Sequence, residues 1–335
     1  MLPCFFFLIY AIMKYLIATL FLIAIELVYF ALAKRFNIVD RPNERSSHSS
    51  PTLLGGGIIF FLAVLYYSVT NNFAYPWLLL GLSLSAIISY IDDLHPLPSI
   101  PRMIVQFVTL ALIMLQLQAF GLATWKIVLH IVAAVAIVNI YNFMDGINGM
   151  LAAYTLVVLG TFIFINLCVS HFIDNGLILI PLIAVGVFSF FNFRTKARCF
   201  SGDVGSITLG CLVLFLIGRL IQSTPTNNVG LSYLVFIGVF LADGGLTILK
   251  RMLRGENILK PHREHLYETL ANDFNVPHLY ISACYALLQI LINICFFLVR
   301  DKNLYAVSVA IFLVIAYSTA FFILNNKARP HTIEG

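Results

Sequence analysis

Four carboxylates sit where apolar runs of this chain end. Asp92 and Asp93 close one run, Asp145 follows Asn139 and Asn142 at intervals of three, and Asp203 lies in Phe200-Ser201-Gly202-Asp203-Val204-Gly205-Ser206. Carboxylates flanked by amides are hard oxygen donors. That is the ligand type of Mg²⁺, which takes one or two protein carboxylates and fills its remaining positions with phosphate oxygens and water. Further along, Pro-His-Arg-Glu-His-Leu sets His262 and His265 three apart around Arg263, a spacing able to clamp a pyrophosphate. Together these residues predict a metal and phosphate site.

Each element of that site also has a plainer reading. Adjacent helix residues point about 100° apart, so Asp92 and Asp93 serve one site only if the helix frays or one acts behind the other. As mere interface-seeking acids they would sit at a helix C-terminus, where the macrodipole favours cations instead. Asn139, Asn142 and Asp145 cover about a third of a helix circumference. They line a ligand, or they are interhelical glue worth about 0.6 kcal/mol per bond. Gly146 and Gly149 favour the first, because a broken helix end belongs beside a cavity. Asp203 on glycine-rich backbone suits a metal ion, and an N-cap by Asp203 or Ser201 is compatible with that role. The loop 40–57 carries Arg45, His48 and Thr52 before Gly55-Gly56-Gly57, and can offer backbone N–H groups and positive charge to an anion. It is not a P-loop, since no Lys-Ser or Lys-Thr follows. In its plainer reading glycine there serves close packing, and the two histidines are solvated surface residues.

The elements that must position these groups follow from composition. With 61% hydrophobic residues, 10% charged and a mean hydropathy of +0.95, a soluble globular domain is excluded. The predicted fold is all-α, a polytopic membrane bundle forming a single integral domain over 1–335. Eleven runs approach the roughly 20 residues a membrane helix needs, near 13–33, 53–70, 76–92, 103–120, 125–143, 150–170, 176–192, 204–222, 231–249, 278–299 and 304–325, or ten if a short one fails. Basic residues prefer the cytoplasmic side. An outside N-terminus and an inside C-terminus put fifteen of the 20 Lys and Arg there, including Arg41, Arg45, Arg102, Arg194, Arg251 and Arg263. That topology uses only hydropathy and charge, yet it gathers all four aspartates, the loop 40–57 and the segment 260–268 at the cytoplasmic face. The net charge of +5 is thereby explained by orientation and anionic lipid. Residues 1–12 read as an upstream extension before Met13, and 250–277 as a cytoplasmic substrate-binding loop. Cys4, Cys168, Cys199, Cys211, Cys284 and Cys295 have no C-x-x-C spacing and read as small apolar packers.

Over about 40–270 the chain resembles the polyprenyl-phosphate N-acetylhexosamine-1-phosphate transferase superfamily. The resemblance is carried, in order, by Asp-x-Pro-x-x-Arg-x-x-His with Pro-Thr and Gly-Gly at 40–57, Asp92-Asp93, Asn-x-x-Asn-x-x-Asp-Gly-x-x-Gly at 139–149, Phe-x-Gly-Asp-x-Gly-Ser at 200–206, and His265-Leu266. It implies a cytoplasm-facing site that moves a sugar 1-phosphate from a UDP-N-acetyl sugar, GlcNAc by default, to undecaprenyl phosphate with release of UMP and with Mg²⁺, for which Mn²⁺ can substitute. It further implies a bacterial inner-membrane enzyme starting O-antigen, capsule or related glycan synthesis, in contact with membrane lipids, compatible with a homodimer and without a nucleic-acid partner. On it, Asp203 and Asp145 face the metal, Asp92 or Asp93 is a further metal ligand or the group that orients or deprotonates the lipid phosphate, and Arg263, His262 and His265 hold the pyrophosphate. Arg45, His48, Thr52, Asn139, Asn142, Asn192 and Phe200 line the substrates.

The chain departs from the family pattern in several places. Asn148 stands where many relatives have a second Asp, Tyr267 and Glu268 replace two histidines, Leu53 replaces a proline, and Arg194–Cys199 is one residue longer. The triple-histidine signature of the pentapeptide-transferase branch is absent, which places the chain outside it. A rival class, a transporter or flippase of lipid-linked sugars, would put acids at the bilayer midplane within paired repeats. A CDP-alcohol phosphotransferase would carry Asp-x-x-Asp-Gly-x-x-Ala-Arg, and the chain does not have it.

Overall fold

A computed structural model describes residues 2–42, 47, 50–224, 230–257 and 262–328, with side chains from Ile12 to Leu324. Lipid offers no partner for backbone N–H and C=O groups, so the apolar runs satisfy their own as helices. In order these are α1 (Leu2–Arg35), α2 (Ile58–Thr70), α3 (Pro76–Leu94), α4 (Ser99–Gln116), α5 (Thr124–Phe143), α6 (Met150–Phe164), α7 (Asn175–Asn192), α8 (Gly202–Ser223), α9 (Gly238–Leu253), α10 (Leu266–Asn272), α11 (His278–Leu298) and α12 (Lys302–Ala328). Among the described residues ten helical stretches are long and apolar enough to cross a membrane. The chain is a multi-pass membrane protein.

The run expected over 53–70 is the exception. Thr52 and Leu53 form strand β2, which pairs antiparallel with β1 (Val39–Asp40), so the helix begins only at Ile58. Its 13 residues rise about 20 Å, short of the roughly 30 Å hydrocarbon core. A parallel bridge from Leu53 to Cys199 ties this small sheet to the segment that leads into α8.

Helix α8 forms the centre. Of its most apolar window 78% is buried, against 17% for α12, whose Leu304, Val307, Ile311, Ile315 and Phe322 face outward. Small residues make the central position workable, because they let helix backbones approach closely. A methyl group on Gly57 would lie 2.4 Å from the Cα of Gly205. Three cysteines, Cys168, Cys284 and Cys295, are exposed rather than packed inside, while Cys199 and Cys211 are buried as expected.

Helix α9 is preceded by a 3₁₀ turn, Gly230–Ile237, and that change of winding leaves N–H groups without helical partners. Side chains of neighbouring helices supply them. Val239 N–H donates to Gln289 Oε1 (3.1 Å) and Phe240 N–H to the Tyr154 hydroxyl (3.3 Å). Tyr154 donates to the same Gln289 oxygen (2.5 Å), and Gln289 Nε2 donates to Val235 O and Asn293 Oδ1. Asn293 continues the chain to Thr161 Oγ1 (2.8 Å). Tyr154 also stacks on Phe240, ring centroids 3.5 Å apart.

Successive helices alternate in direction. The last turns of α3, α5, α7 and α9 therefore meet the first turns of α4, α6, α8 and α11 at one end of the bundle, where all the chemistry-bearing motifs collect.

Candidate active site

At that end lies a cavity of about 300 Å³, lined by Asp93, Asn142, Asp145, Asn192, Phe200, Asp203, Ser206 and Glu268 among others. Five stretches of the chain contribute to it, the segment 40–54 and the neighbourhoods of residues 93, 142–147, 192–206 and 268.

The first turn of α8 is its floor. Gly202 has φ +71°, a left-handed conformation that suits glycine, and a Cβ there would collide with the Asp93 carboxylate 2.3 Å away. Into the space left open, Asp93 Oδ1 accepts the Asp203 N–H (2.8 Å) and Oδ2 the Val204 N–H (3.3 Å). The helix cap thus comes from α3 and not from Asp203 or Ser201, neither of which caps through its side chain. Asp203 is left to the cavity. Its Oδ1 accepts from Asn142 Nδ2 (2.7 Å), which also donates to Ser206 Oγ (3.0 Å). Its Oδ2 meets Arg102 Nη2 at 2.8 Å. Asp145 follows the end of α5 and accepts a short hydrogen bond from Ser201 Oγ. Burial, offset in part by the Ser201 hydroxyl and reinforced by the charges of Asp203 and Asp93, pushes the Asp145 carboxyl up to about 8.

Asp92 does not share the cavity. Helix α3 stays wound through Leu94, so Asp92 turns to the other side, where Oδ1 accepts Leu97 N–H (2.6 Å) and Oδ2 meets Arg102 Nη1 (2.6 Å). Arg102 thereby spans Asp92 and Asp203, and the two carboxylates also act on each other directly.

Residues 75–220, which are essentially α3 to α8 and include all four aspartates, match the family profile described as glycosyl transferase family 4. Over that segment the chain is similar to glycosyl transferase family 4. The chain is 22% identical to a probable undecaprenyl-phosphate N-acetylglucosaminyl 1-phosphate transferase of Bacillus subtilis, over 96% of the chain and 95% of the relative. It is 26% identical to the undecaprenyl-phosphate alpha-N-acetylglucosaminyl 1-phosphate transferase of Yersinia pestis, over 75% and 74% respectively. The Escherichia coli K12 enzyme of the same name matches at 22% over 75% and 74%.

Several expected residues lie elsewhere. Asn139 donates to Gln106 Oε1 on α4 (2.9 Å) and to Val135 O, and is interhelical packing. Asn192 reaches the cavity wall, but its amide is spent on Gly149 N–H (2.8 Å) and Cys199 O (2.9 Å), so it shapes the site through backbone. Thr52 is buried at the small sheet and donates to Ser50 O. The glycine loop offers no free anion cradle at its last two residues: Gly56 and Gly57 N–H groups donate to Phe200 O and Ser201 O, both at 2.9 Å. Its glycines serve packing. Arg45 and His48 lie outside the described residues.

The histidine motif borders the cavity without opening into it. His265 is only 2% exposed, and its Nδ1 is 3.5 Å from Asp243 Oδ1. As arranged, it stands behind the substrate space. Asp243, which had no role in the sequence reading, accepts Leu266 N–H (2.9 Å), Tyr267 N–H (3.3 Å) and the Tyr285 hydroxyl (2.6 Å), and so anchors the start of α10. His262 is half-buried. Burial, with His265 and Arg251 adding positive charge nearby, pushes it down to about 4, so it is neutral at physiological pH. From this segment Glu268 is the side chain that reaches the cavity, and burial raises its carboxyl above the usual range.

Sequence reasoning missed Arg102, Ser206 and Glu268. Arg102 had one available signal, a lone cation in the short connection after an Asp-Asp pair. Ser206 lies one turn after Gly202, on the Asn142 side of α8.

The donor set fits a divalent cation. Among the described residues Arg102 pairs with two of the four aspartates, Asp92 and Asp203, and the carboxylates' uncommitted lone pairs are hard oxygen donors of the type Mg²⁺ selects. Asp203, Asp93 and Asp145 would hold it, with Ser201 and Asn142 keeping two of the carboxylates in place.

Proposed function

We propose that this chain transfers an N-acetylhexosamine 1-phosphate, with GlcNAc-1-phosphate as the default, from a UDP-sugar to undecaprenyl phosphate. The proposed setting is the cytoplasmic face of a bacterial inner membrane, with the N-terminus outside and the C-terminus inside, at the initiating step of an envelope glycan. The observation that carries the reading is the convergence of Asp93, Asp145 and Asp203 on one cavity at a helix-bundle end, where an anionic lipid head and a nucleotide can meet. The similarity to undecaprenyl-phosphate N-acetylglucosaminyl 1-phosphate transferases supports the acceptor and the sugar phosphate.

Phosphoryl transfer demands positioning and charge neutralisation more than covalent chemistry from the protein. In the proposed reaction a phosphate oxygen of the lipid attacks the phosphorus that carries the sugar. The new P–O–P link forms as the bond to the UMP oxygen breaks, and UMP leaves. Bound Mg²⁺ would neutralise pyrophosphate charge and make UMP a better leaving group. Asp203, held by Asn142 and Arg102, presents its carboxylate to that ion. Asp93 keeps the first turn of α8 in place while facing the same space. Asp145, hydrogen-bonded by Ser201 in the same space, would help to hold that ion. Asn142 and Phe200 border the nucleotide side, and Arg263 supplies charge for the pyrophosphate.

The test supplies purified protein, Mg²⁺ and undecaprenyl phosphate with UDP-GlcNAc radiolabelled in the phosphate next to the sugar, beside Asp203→Asn. Label should enter the lipid with the native protein and not with the variant. Label from another UDP-N-acetyl sugar only would change the donor; no transfer from any donor would refute the proposal.

A further inference from the structure

Apart from the carboxylate site, His262, His265 and Glu268 place two imidazole nitrogens and a carboxylate oxygen within 4.8 Å of one another. The two rings lie 4.8 Å apart, centroid to centroid. Nε2 of His265 and Nδ1 of His262 are both buried, and neither has a hydrogen-bond partner. Buried polar atoms are nearly always paired, so two orphaned nitrogens beside a carboxylate point to a missing ligand.

The donor types say which one. Two histidines and a glutamate are a known zinc-binding set that leaves a fourth position open, and imidazole selects Zn²⁺, Co²⁺ or Ni²⁺ over the hard Mg²⁺. The surroundings match as well. Metal-bound histidines commonly present their second nitrogen to a carboxylate, which fixes the ring and its tautomer. Here Asp243 Oδ1 stands 3.5 Å from His265 Nδ1, itself held by two backbone N–H groups and Tyr285. That leaves His265 Nε2 to ligate. Glu268 Oε2 accepts the His265 N–H at 3.2 Å, which makes Oε1 the candidate ligand atom. A tetrahedral zinc with bonds near 2.0–2.1 Å needs donors about 3.4 Å apart, a closure of about an ångström that rotation of the Glu268 or His262 side chain can supply.

We propose that His262, His265 and Glu268 form a binding site for one Zn²⁺-class ion per chain, separate from the aspartate site, with its open coordination position toward the cavity that Glu268 lines. The proposal stands on these three side chains and is independent of the transferase reading.

The experiment uses full-length protein without a histidine tag, stripped with a chelator and titrated with Co²⁺ as a coloured stand-in for Zn²⁺. One Co²⁺ per chain should bind with visible ligand-field bands. Stoichiometric Zn²⁺ should displace it and a hundredfold excess of Mg²⁺ should not. His262→Ala and Glu268→Gln should each weaken Zn²⁺ binding by at least about tenfold, since even outer partners of a metal site are worth 10–100-fold. Asp203→Asn should leave it unchanged. Absence of stoichiometric binding, equal affinity in the His262 and Glu268 variants, or loss in the Asp203 variant alone would overturn the proposal. X-ray absorption on the zinc-loaded native protein guards against misfolded variants: it should show two imidazole ligands, and none would refute the site by itself.

Discussion

Two polar networks are buried in this bundle, and they differ in kind. Between α6, α9 and α11, Tyr154, Gln289, Asn293 and Thr161 are neutral, and their hydrogen bonds run from one to the next until they meet the backbone at the broken start of α9. At the end of the bundle, among the described residues, Arg102 pairs with Asp92 and Asp203, while Asp93 and Asp145 meet only N–H and hydroxyl donors. The first network is complete as it stands and repairs a local defect in helix winding. The second carries an excess of negative charge that only a cation or protons can balance. Neutral closure marks structure here, and uncompensated charge marks the site.

That contrast can be broken from either side. The largest effect is expected for Asp203→Asn, which should lower initial transfer rates by about 100-fold or more, the scale of losing one electrostatic contributor to a transition state. Its thermal unfolding should stay close to that of the native protein. Gln289→Leu should do the reverse. It leaves the Val239 N–H and the Tyr154 hydroxyl unsatisfied, so denaturation should report a loss of about 1–3 kcal/mol, while transfer per folded molecule stays within about twofold. A Gln289→Leu protein that is fully stable, or one that is folded but inactive, would erase the distinction.

Arg102 tests the link between the outer and inner acids. Arg102→Gln should reduce transfer by about tenfold, as misplacement of a positioned group does. Arg102→Lys should recover only part, because Lys lacks the two-pronged geometry that reaches Asp92 and Asp203 together. A smaller effect belongs to Asp145. Its carboxyl is pushed up to about 8 from an ordinary 3.8, so the folded state holds a proton that the unfolded chain releases. Stability of metal-free protein should therefore be greatest below about 4, fall as pH rises toward 8 and then level off. Added Mg²⁺ should reverse the fall at pH 8, which melting curves with and without Mg²⁺ will read. The smallest effect is expected at the surface: Glu264, paired with Lys250 and Arg254, should lose no more than about 0.5 kcal/mol on change to Gln.

The sequence makes the helices legible because apolar length alone specifies a membrane span. It places the short helix at Ile58–Thr70 too early, because Thr52 and Leu53 are as apolar-compatible in a strand as in a helix. The acids were legible too, since an uncompensated carboxylate beside an apolar run is costly to retain by chance. Their division of labour was not. Residues 139, 142 and 145 recur by threes, but at about 100° per residue Asn139 and Asn142 already stand about 60° apart, and Asn139 turns to Gln106 while Asn142 meets Asp203. Asp93 as the cap of α8, Arg102 as a bridge, and Asp243 behind His265 all depend on partners from other elements, distant in the chain or turned to the same face only by the fold. Local spacing carries no record of such pairings.

Asn148 shows what this means for exchange of motifs between relatives. Its Nδ2 donates to the carbonyls of Arg194 (2.9 Å) and Thr195 (3.1 Å). An aspartate at 148 would turn an oxygen toward those two oxygens, so the amide and the 194–195 turn are matched parts. Restoring the acid found in many relatives is then not a point change but a transplant of two segments, and a chimera that moves one without the other should fail at the seam rather than at the chemistry.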